Sequence, residues 1–499
     1  MTKARTTLFA AISLLAGCTI AAALPATAQV LAPPQPPTAA VQPFVKVKPG
    51  LLALVHARLI DGTGAPEQVD RTIVIDGAKI AAVLPAGAPP PAGAAVIDVT
   101  GKTVLPGLVG MHDHLFYIAR PNLDAAGRSD APILAPQMSF SAPRMYLAAG
   151  VTTLRTTGSV EPYADLGLKR EIDAGELPGP HLDVTGPYLE GTGSPFVQMH
   201  PLKDAEDARR TVAFWADQGA TSFKAYMFIT RAELKAAIEE AHRRGLKITG
   251  HLCAVTYPEA AELGIDDLEH GFFVNTQLDP GKKPDVCSDG EGDPTMQAMT
   301  PDTPAGRALI RLLVSRHVAV TSTLPVFEQD LPEHAPLNPG AMATLSPQAL
   351  EAYLYSRNRR ATQSAKRRDD ALLEWRNDLA MERAFVAAGG LLLAGPDPTG
   401  NGGVIPGFGD QREVELLVEA GFSPEQAIEI ASLNGAIFMG LESRIGSVAP
   451  GKDADLVIVD GDPARAIADI EKVETVFKDG VGYDPAALLA SVRGRYGEY

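Results

Sequence analysis

The sequence predicts an α/β protein: a (β/α)8 barrel carrying a small discontinuous β-sandwich formed by its N- and C-terminal segments. Three observations predict it. Short apolar, strand-like runs alternate with helical stretches through the middle of the chain. Several of those runs end on histidine, lysine or aspartate. The flanks of this region are β-branched runs broken by turn residues, with no helical period between them. The chain has 499 residues, room for one large domain and a smaller one. Hydrophobic residues make up 45% and charged residues 21%, a balance able to build a core. The formal net charge is −16 and no long basic run occurs, which excludes an electrostatic footprint for nucleic acid.

Taken in order, the first element is an export signal over residues 1–28. Lys3 and Arg5 precede an apolar run over 8–24, and Pro25-Ala26-Thr27-Ala28 sets small residues ahead of Gln29. The run is near the lower length limit for a membrane span, and Pro25 argues against one. Leu15-Ala16-Gly17-Cys18 also fits a lipoprotein cleavage box, so a start at Gln29 and a lipid anchor on Cys18 both stay open. Either way the expected location is periplasmic, secreted or lipid-anchored. Residues 29–49 carry Pro33, Pro34, Pro36, Pro37, Pro43 and Pro49 and read as an extended linker.

Residues 50–107 hold LLALVHARLIDGTG, TIVIDGAKIAAVLP and AAVIDVTGKTVLPG, the first part of the β-sandwich. The barrel is expected over 108–440. Its strands are LVGMHDHL, AAGVTTLRTTG, HLDVTGPYL, ATSFKAYMF, LKITGHLC, DDLEHGFFV, HVAVTSTLPVF and GGLLLAGPDP. Between them lie helical segments such as TRAELKAAIEEAHRRG, where Leu234, Ala237, Ile238 and Ala241 share a face and Gly245 stops the helix. An open doubly wound sheet is the structural alternative, but no GxGxxG turn supports it. Ser423-Pro424-Glu425-Gln426 opens a last helix. Strand patterns return over 441–485 as the second part of the sandwich, and 486–499 forms a C-terminal tail.

The strongest local signal is LPGLVGMHDHL. His112 and His114 lie two apart at a strand end, so both side chains point the same way, and strand ends in a barrel converge on the catalytic mouth. Imidazole is a common ligand of zinc-like metals. His251 and His270 each close a strand, and Asp397 follows the apolar GGLLLAGPD. Lys224 lies inside ATSFKAYMF on a face with Ser222 and Tyr226. A buried amine is costly unless paired or neutralised. A salt bridge is one solution; reaction with CO2, giving an anionic carbamate that bridges metals, is another.

These motifs, with GVTTLRTTG and PGKDADLVIVDGDP, resemble the amidohydrolase superfamily, and within it the imidazolonepropionase-like group that includes Xaa-Pro dipeptidases. SFKAYM is similar to the carbamylated-lysine strand of hydantoinases and dihydropyrimidinases. The resemblance covers roughly residues 51–480. It implies two divalent ions, zinc being the expectation: His112, His114 and Asp397 on one, His251 and His270 on the other, and carbamylated Lys224 between them. Gly110 departs from the family's usual aspartate two residues before the first histidine. Pro396 and Pro398 flank Asp397 where a Gly-Thr-Asp-Ala run is more typical, which leaves the shape of that loop open.

Such a centre implies attack on a carbonyl by a metal-bridging hydroxide, with Asp397 moving the proton; Tyr226 and Tyr188 stay open between donors to the developing oxyanion and packing residues. The expected reaction is hydrolysis of an amide or peptide-like bond in a small substrate such as a dipeptide or N-acyl amino acid. A lactone or phosphotriester hydrolase on the same centre and a non-catalytic binding barrel are the alternatives. A small molecule is the expected partner, and self-association stays open. The segment over 272–316 is expected to form a rim or lid. The basic cluster RNRRATQSAKRRDD is read as a solvated helix face rather than a site for a substrate carboxylate. Cys253 and Cys287 stay open between a disulfide and two free thiols.

Overall fold

The computed structural model describes residues 31–118, 133–399 and 404–497. The expected export signal and both its cleavage points lie outside them.

The N-terminal strands are β1 (Val45–Val47), β2 (Leu51–Leu59), β3 (Gln68–Asp76), β4 (Lys79–Leu84), β5 (Ala95–Asp98) and β6 (Thr103–Pro106). The barrel strands follow as β7 (Leu108–Gly110), β8 (Val151–Arg155), β9 (His181–Asp183), β10 (Ser222–Ala225), β11 (Lys247–Gly250), β12 (Asp267–Glu269), β13 (Ala319–Ser322) and β14 (Leu392–Ala394). The C-terminal strands are β15 (Leu456–Val459), β16 (Val473–Lys478) and β17 (Val481–Tyr483). Each expected barrel run thus contributes one short strand.

The barrel strands pair in parallel from β7 to β9 and from β10 to β14. Backbone hydrogen bonds of 2.9 Å close the gaps. The Thr221 N–H donates to Val184 and the Gly186 N–H to Ser222, while the Met111 N–H donates to Ala394 and joins β14 back to β7. Strand alternation sorts the residues. Phe223, Ile248, Leu268 and Val320 are buried members of the main apolar core, whereas Lys224, Thr249 and Asp267 stand level with one another on the opposite side of the ladder.

Helices cover the outside because their sequences cap and pattern them. In Arg231–Arg243 the Thr230 hydroxyl and the Glu233 carboxylate form a reciprocal capping box, and Leu234, Ala237, Ile238 and Ala241 are buried at helical spacing. Burial of Leu234 or Ile238 stabilises by roughly 1.5–3 kcal/mol each, so Leu234→Ala would cost about 2–5 kcal/mol. Ser423 accepts from the Gln426 N–H, as its sequence context predicts.

Both chain ends build one sheet, in the order β1-β17-β16-β15-β6-β2-β3-β4, with β5 on β2. Strand β2 pairs with β5 through Leu52–Val55 and with β6 through Arg58 and Leu59. It changes partner at His56, whose φ of +63° breaks the extended path.

Two expectations need correction. The proline-rich stretch is not a bare spacer: β1 pairs with β17, and Leu31 and Val41 are buried. Proline suits an extended segment laid on a surface, and apolar residues between the prolines supply the contact. The C-terminal stretch holds a helix, Pro485–Val492, with Leu488, Val492 and Tyr496 buried.

Candidate metal centre

Parallel strands around a barrel end at one mouth, and the residues just past their C-terminal ends meet there. The loop after β7 brings His112 and His114, β10 carries Lys224, His251 follows β11, His270 follows β12, and Asp397 follows β14. Ring centroids lie 4.5 Å apart for His112 and His270, 4.4 Å for His251 and His270, and 5.3 Å for His112 and His114. Lys224 Nζ is 3.0 Å from His112 Nε2. Asp397 Oδ1 is 2.9 Å from His114 Nε2 and 3.6 Å from His112 Nε2. His112, His114 and Asp397 place ligand atoms within 4.8 Å of one another, a donor set able to hold a metal ion. Tyr188 and Tyr226 stand beside them. Their rings are 4.9 Å apart, Tyr226 is 4.9 Å from His251, and Lys224 Nζ is 5.6 Å and 5.7 Å from the two rings.

The surroundings orient three of the four rings, those of His112, His114 and His270, toward the mouth. His114 Nδ1 lies 3.2 Å from the Thr156 carbonyl, which can only accept, and Nε2 turns to Asp397; with the proton on Nδ1, Nε2 is the nitrogen left to bind a metal. His112 Nδ1 is 2.8 Å from Glu269 Oε2, and His270 Nδ1 is 2.9 Å from Thr323 Oγ1. Glu269 is held in turn by Arg155 at 3.3 Å, and Arg155 also donates to Thr249 and lies 3.9 Å from Asp267.

Burial keeps these rings neutral, the form that binds metals. It pulls His112 down to about 4 and His251 to about 3, with the Lys224 charge adding to both. It also holds His270 well below the usual histidine range. Lys224 falls to about 8, burial outweighing the opposite pull of Glu269 and Asp397.

The two sequence departures have structural answers. Asp397, between its prolines, takes a φ of +55°; its N–H donates to His112 O at 3.0 Å, and the Thr399 N–H donates to its carbonyl at 2.9 Å. The loop therefore still delivers the carboxylate to His114. His270 is likewise left-handed, at +70°. Two side chains of the cluster thus sit on backbone that non-glycine residues rarely adopt. A Cβ at Gly110 would lie 1.7 Å from Asp113 Oδ2 and 3.1 Å from Asp410 Oδ1. Glycine there leaves room for a buried pair of carboxyls. Burial, and then mutual repulsion, raises Asp113 well above the carboxylate range, while burial raises Asp410 to about 7, so the pair retains a proton near neutrality. Glu269, Arg155, Asp113 and Asp410 escaped the sequence reading. For Glu269 a signal existed: with Asp267 it alternates around Leu268 in an apolar strand, which points both acids to the interior.

Two cavities of about 300 Å³ each meet at this cluster and share His251, His270, Val326, Arg360 and Asp397. The rim expected over 272–316 is present: Phe273, Glu291, Asp293 and Met296 line one cavity. Cys253 and Cys287 form a disulfide with Cα atoms 4.8 Å apart, which ties this rim to the loop after β11. The basic cluster is not a solvated face throughout. Arg360 is buried and Arg367 partly so, because the packing of helices Pro347–Ala361 and Ala365–Ala387 turns both toward the cavity.

Comparison with known proteins agrees with this architecture. The chain is 40% identical over 75 residues to adenine deaminase 2 of Jannaschia sp. (strain CCS1), a match spanning 15% of the chain and 12% of that relative. It is 24% identical over 410 residues to the dihydroorotase of Pelotomaculum thermopropionicum (strain DSM 13744 / JCM 10971 / SI), spanning 75% of the chain and 82% of the relative. The fold superposes on a Xaa-Pro dipeptidase crystallised with methionine in its active site at a TM-score of 0.63 and 20% identity, covering 87% of this chain and all of that one. The profile of the amidohydrolase family matches residues 103–281 and 407–481, and the chain belongs to that family.

Proposed function

We propose that the protein hydrolyses a carbon–nitrogen bond, amide or peptide-like, in a small substrate such as a dipeptide or N-acyl amino acid. The observation that carries this reading is the convergence of four neutral imidazoles, one carboxylate and one buried lysine where two cavities meet. In this reading His112, His114 and Asp397 would hold one divalent ion and His251 and His270 a second, with N-carboxylated Lys224 as a ligand shared by both and zinc as the metal. Bound there, the ions supply Lewis acidity that acidifies water and polarises a substrate carbonyl.

The chain's own groups do the rest. Asp397, 2.9 Å from His114 Nε2, takes the proton of the attacking water and passes it to the departing amine. Burial raises both Tyr188 and Tyr226 above the usual phenol range, so each keeps its proton and serves as a donor to the developing oxyanion. Burial also raises the neutral fraction of Lys224, the form that reacts with CO2. The charged, apolar and cleavable layout of residues 1–28 supports export, and N-terminal mass analysis of the protein from its host tests it.

The deciding experiment incubates zinc- and bicarbonate-loaded protein with dipeptides, N-acyl amino acids, lactones and phosphotriesters. Turnover of the amides is the expected result. Turnover confined to lactones or phosphotriesters would replace the reading with the corresponding esterase, and inert protein with full metal content would leave a binding barrel.

A further inference from the structure

The two cavities differ in chemistry. One is walled by Phe116, Ile118, Ile133, Phe196 and Met199, and among the described residues that line it the only carboxylate is Asp397 of the metal cluster. The other is charged, with Arg367, Glu291, Asp293, Asp330 and Glu374 among its walls. Arg360 lines both.

Arg360 sits near the end of helix Pro347–Ala361, in the long connection between β13 and β14, and is 3% exposed. A guanidinium stays ionised at any ordinary pH, so burying it is costly unless acceptors surround it. It has five N–H donors in a planar fork. Asp330 takes one terminal N–H, and Nε has no acceptor among the described residues. Asp330 is itself anchored, 3.9 Å from Arg367, which holds Asp293 at 2.8 Å. The Arg360 fork is therefore held in place and only partly used. A carboxylate is the ligand whose geometry answers such a fork, by two parallel charge-assisted hydrogen bonds. Among the described residues lining the apolar lobe, the other basic side chain besides the histidines, Lys224, is engaged with His112, which leaves Arg360 as the permanent cation facing a ligand.

We propose that Arg360 reads a free carboxylate on the substrate, and that the substrate is an N-acylated amino acid or dipeptide with an apolar acyl portion. The amide lies over the histidine cluster, the acyl portion lies against Phe116, Phe196 and Met199, and the acid lies on Arg360. This rests on the amide-hydrolase reading, and the test separates the two.

Hydrolysis of N-benzoylglycine and N-benzoyl-L-leucine is compared with that of their carboxamides, using metal-loaded wild type, Arg360→Gln and Arg360→Lys. Binding of the same four compounds is followed by calorimetry. For wild type, kcat/KM is expected to favour the acids by tenfold or more, mainly through KM. Arg360→Gln is expected to abolish that preference by lowering kcat/KM for the acids tenfold or more beyond any change on the carboxamides, and Arg360→Lys to restore part of it. Equal kcat/KM for acids and carboxamides in wild type, or an equal loss on both in Arg360→Gln, would overturn the assignment. If none of the four is cleaved, the amide-hydrolase reading fails on these compounds. Calorimetry still decides for Arg360: acids bound more tightly than carboxamides by wild type but not by Arg360→Gln support it, and no such difference overturns it. Unchanged melting temperature and metal content in the variants exclude misfolding as the cause.

Discussion

Two places among the described residues bring histidine and carboxylates within metal-binding reach, and they are built in opposite ways. His112, His114 and Asp397 follow the C-terminal ends of their strands. His181 begins β9, at the other end of the barrel, and meets Asp455 and Asp479 from the β-sheet domain. At the mouth, ring nitrogens on the protein side are bound to Glu269, Thr156 and Thr323, so the opposite nitrogens are aimed inward. At the base, His181 Nε2 lies 3.2 Å from Asp479 Oδ2 without hydrogen-bond geometry, and buried Lys478 stands on the same strand end. The mouth opens on two cavities of about 300 Å³, whereas the space beside His181 is about 20 Å³. The difference teaches that residue type and distance do not make a reactive centre. Orientation from behind and room in front do, and barrel topology supplies both at the C-terminal end.

The largest effect that can break this contrast is on turnover. Asp397→Asn should lower kcat on amide substrates by on the order of a thousandfold or more if, as proposed, this is the group that moves the proton. A change below tenfold in steady-state assays would remove Asp397 from the mechanism.

Stability against pH sharpens the contrast next. His112 and His251 titrate at about 4 and about 3 in the folded chain, against 6.5 when unfolded, chiefly through burial. A depressed histidine leaves the unfolded state binding more protons, so the metal-free protein should lose stability as pH falls from about 6.5 towards 4. The slope is about 1.4 kcal/mol per pH unit for each histidine in that window. Urea unfolding between pH 4 and 8 measures it, and His112→Ala should flatten the slope by about one histidine's share. An identical slope in the variant would contradict the assigned burial cost.

The rim offers a third arm. Reducing Cys253–Cys287, or replacing both cysteines with serine, should cost about 3–4 kcal/mol in the chain-entropy picture, read as a lower urea midpoint. No shift would show that the rim is already restrained by contacts such as Arg231 with Asp285.

Glu269→Gln should weaken metal affinity by about 10–100-fold, since it orients His112 from behind. The smallest effect belongs to the base. His181→Ala should cost about 1–3 kcal/mol of stability while leaving kcat and metal affinity unchanged. Loss of metal there would erase the distinction between the two clusters.

Much of this was legible in the sequence because it is encoded locally. A short apolar strand that ends on His251 or His270 states both its element and the direction of its last side chain. What was not legible depends on residues far apart in the chain. Glu269 matters because it meets His112, 157 positions earlier. Gly110 is explained by Asp113 and Asp410 together. Arg360 looks like any surface arginine in a basic helix until packing turns it inward. The proline-rich stretch misled for the same reason, since its partner β17 lies at the opposite end of the chain.

The central proposal is that the mouth, and not the base, holds two metals and is the hydrolytic centre. Elemental analysis of purified protein after zinc and bicarbonate loading tests it most directly. The account predicts about two zinc ions per chain in wild type and in His181→Ala, and fewer in His112→Ala. No retained zinc in wild type, or zinc lost from His181→Ala but kept by His112→Ala, would contradict it.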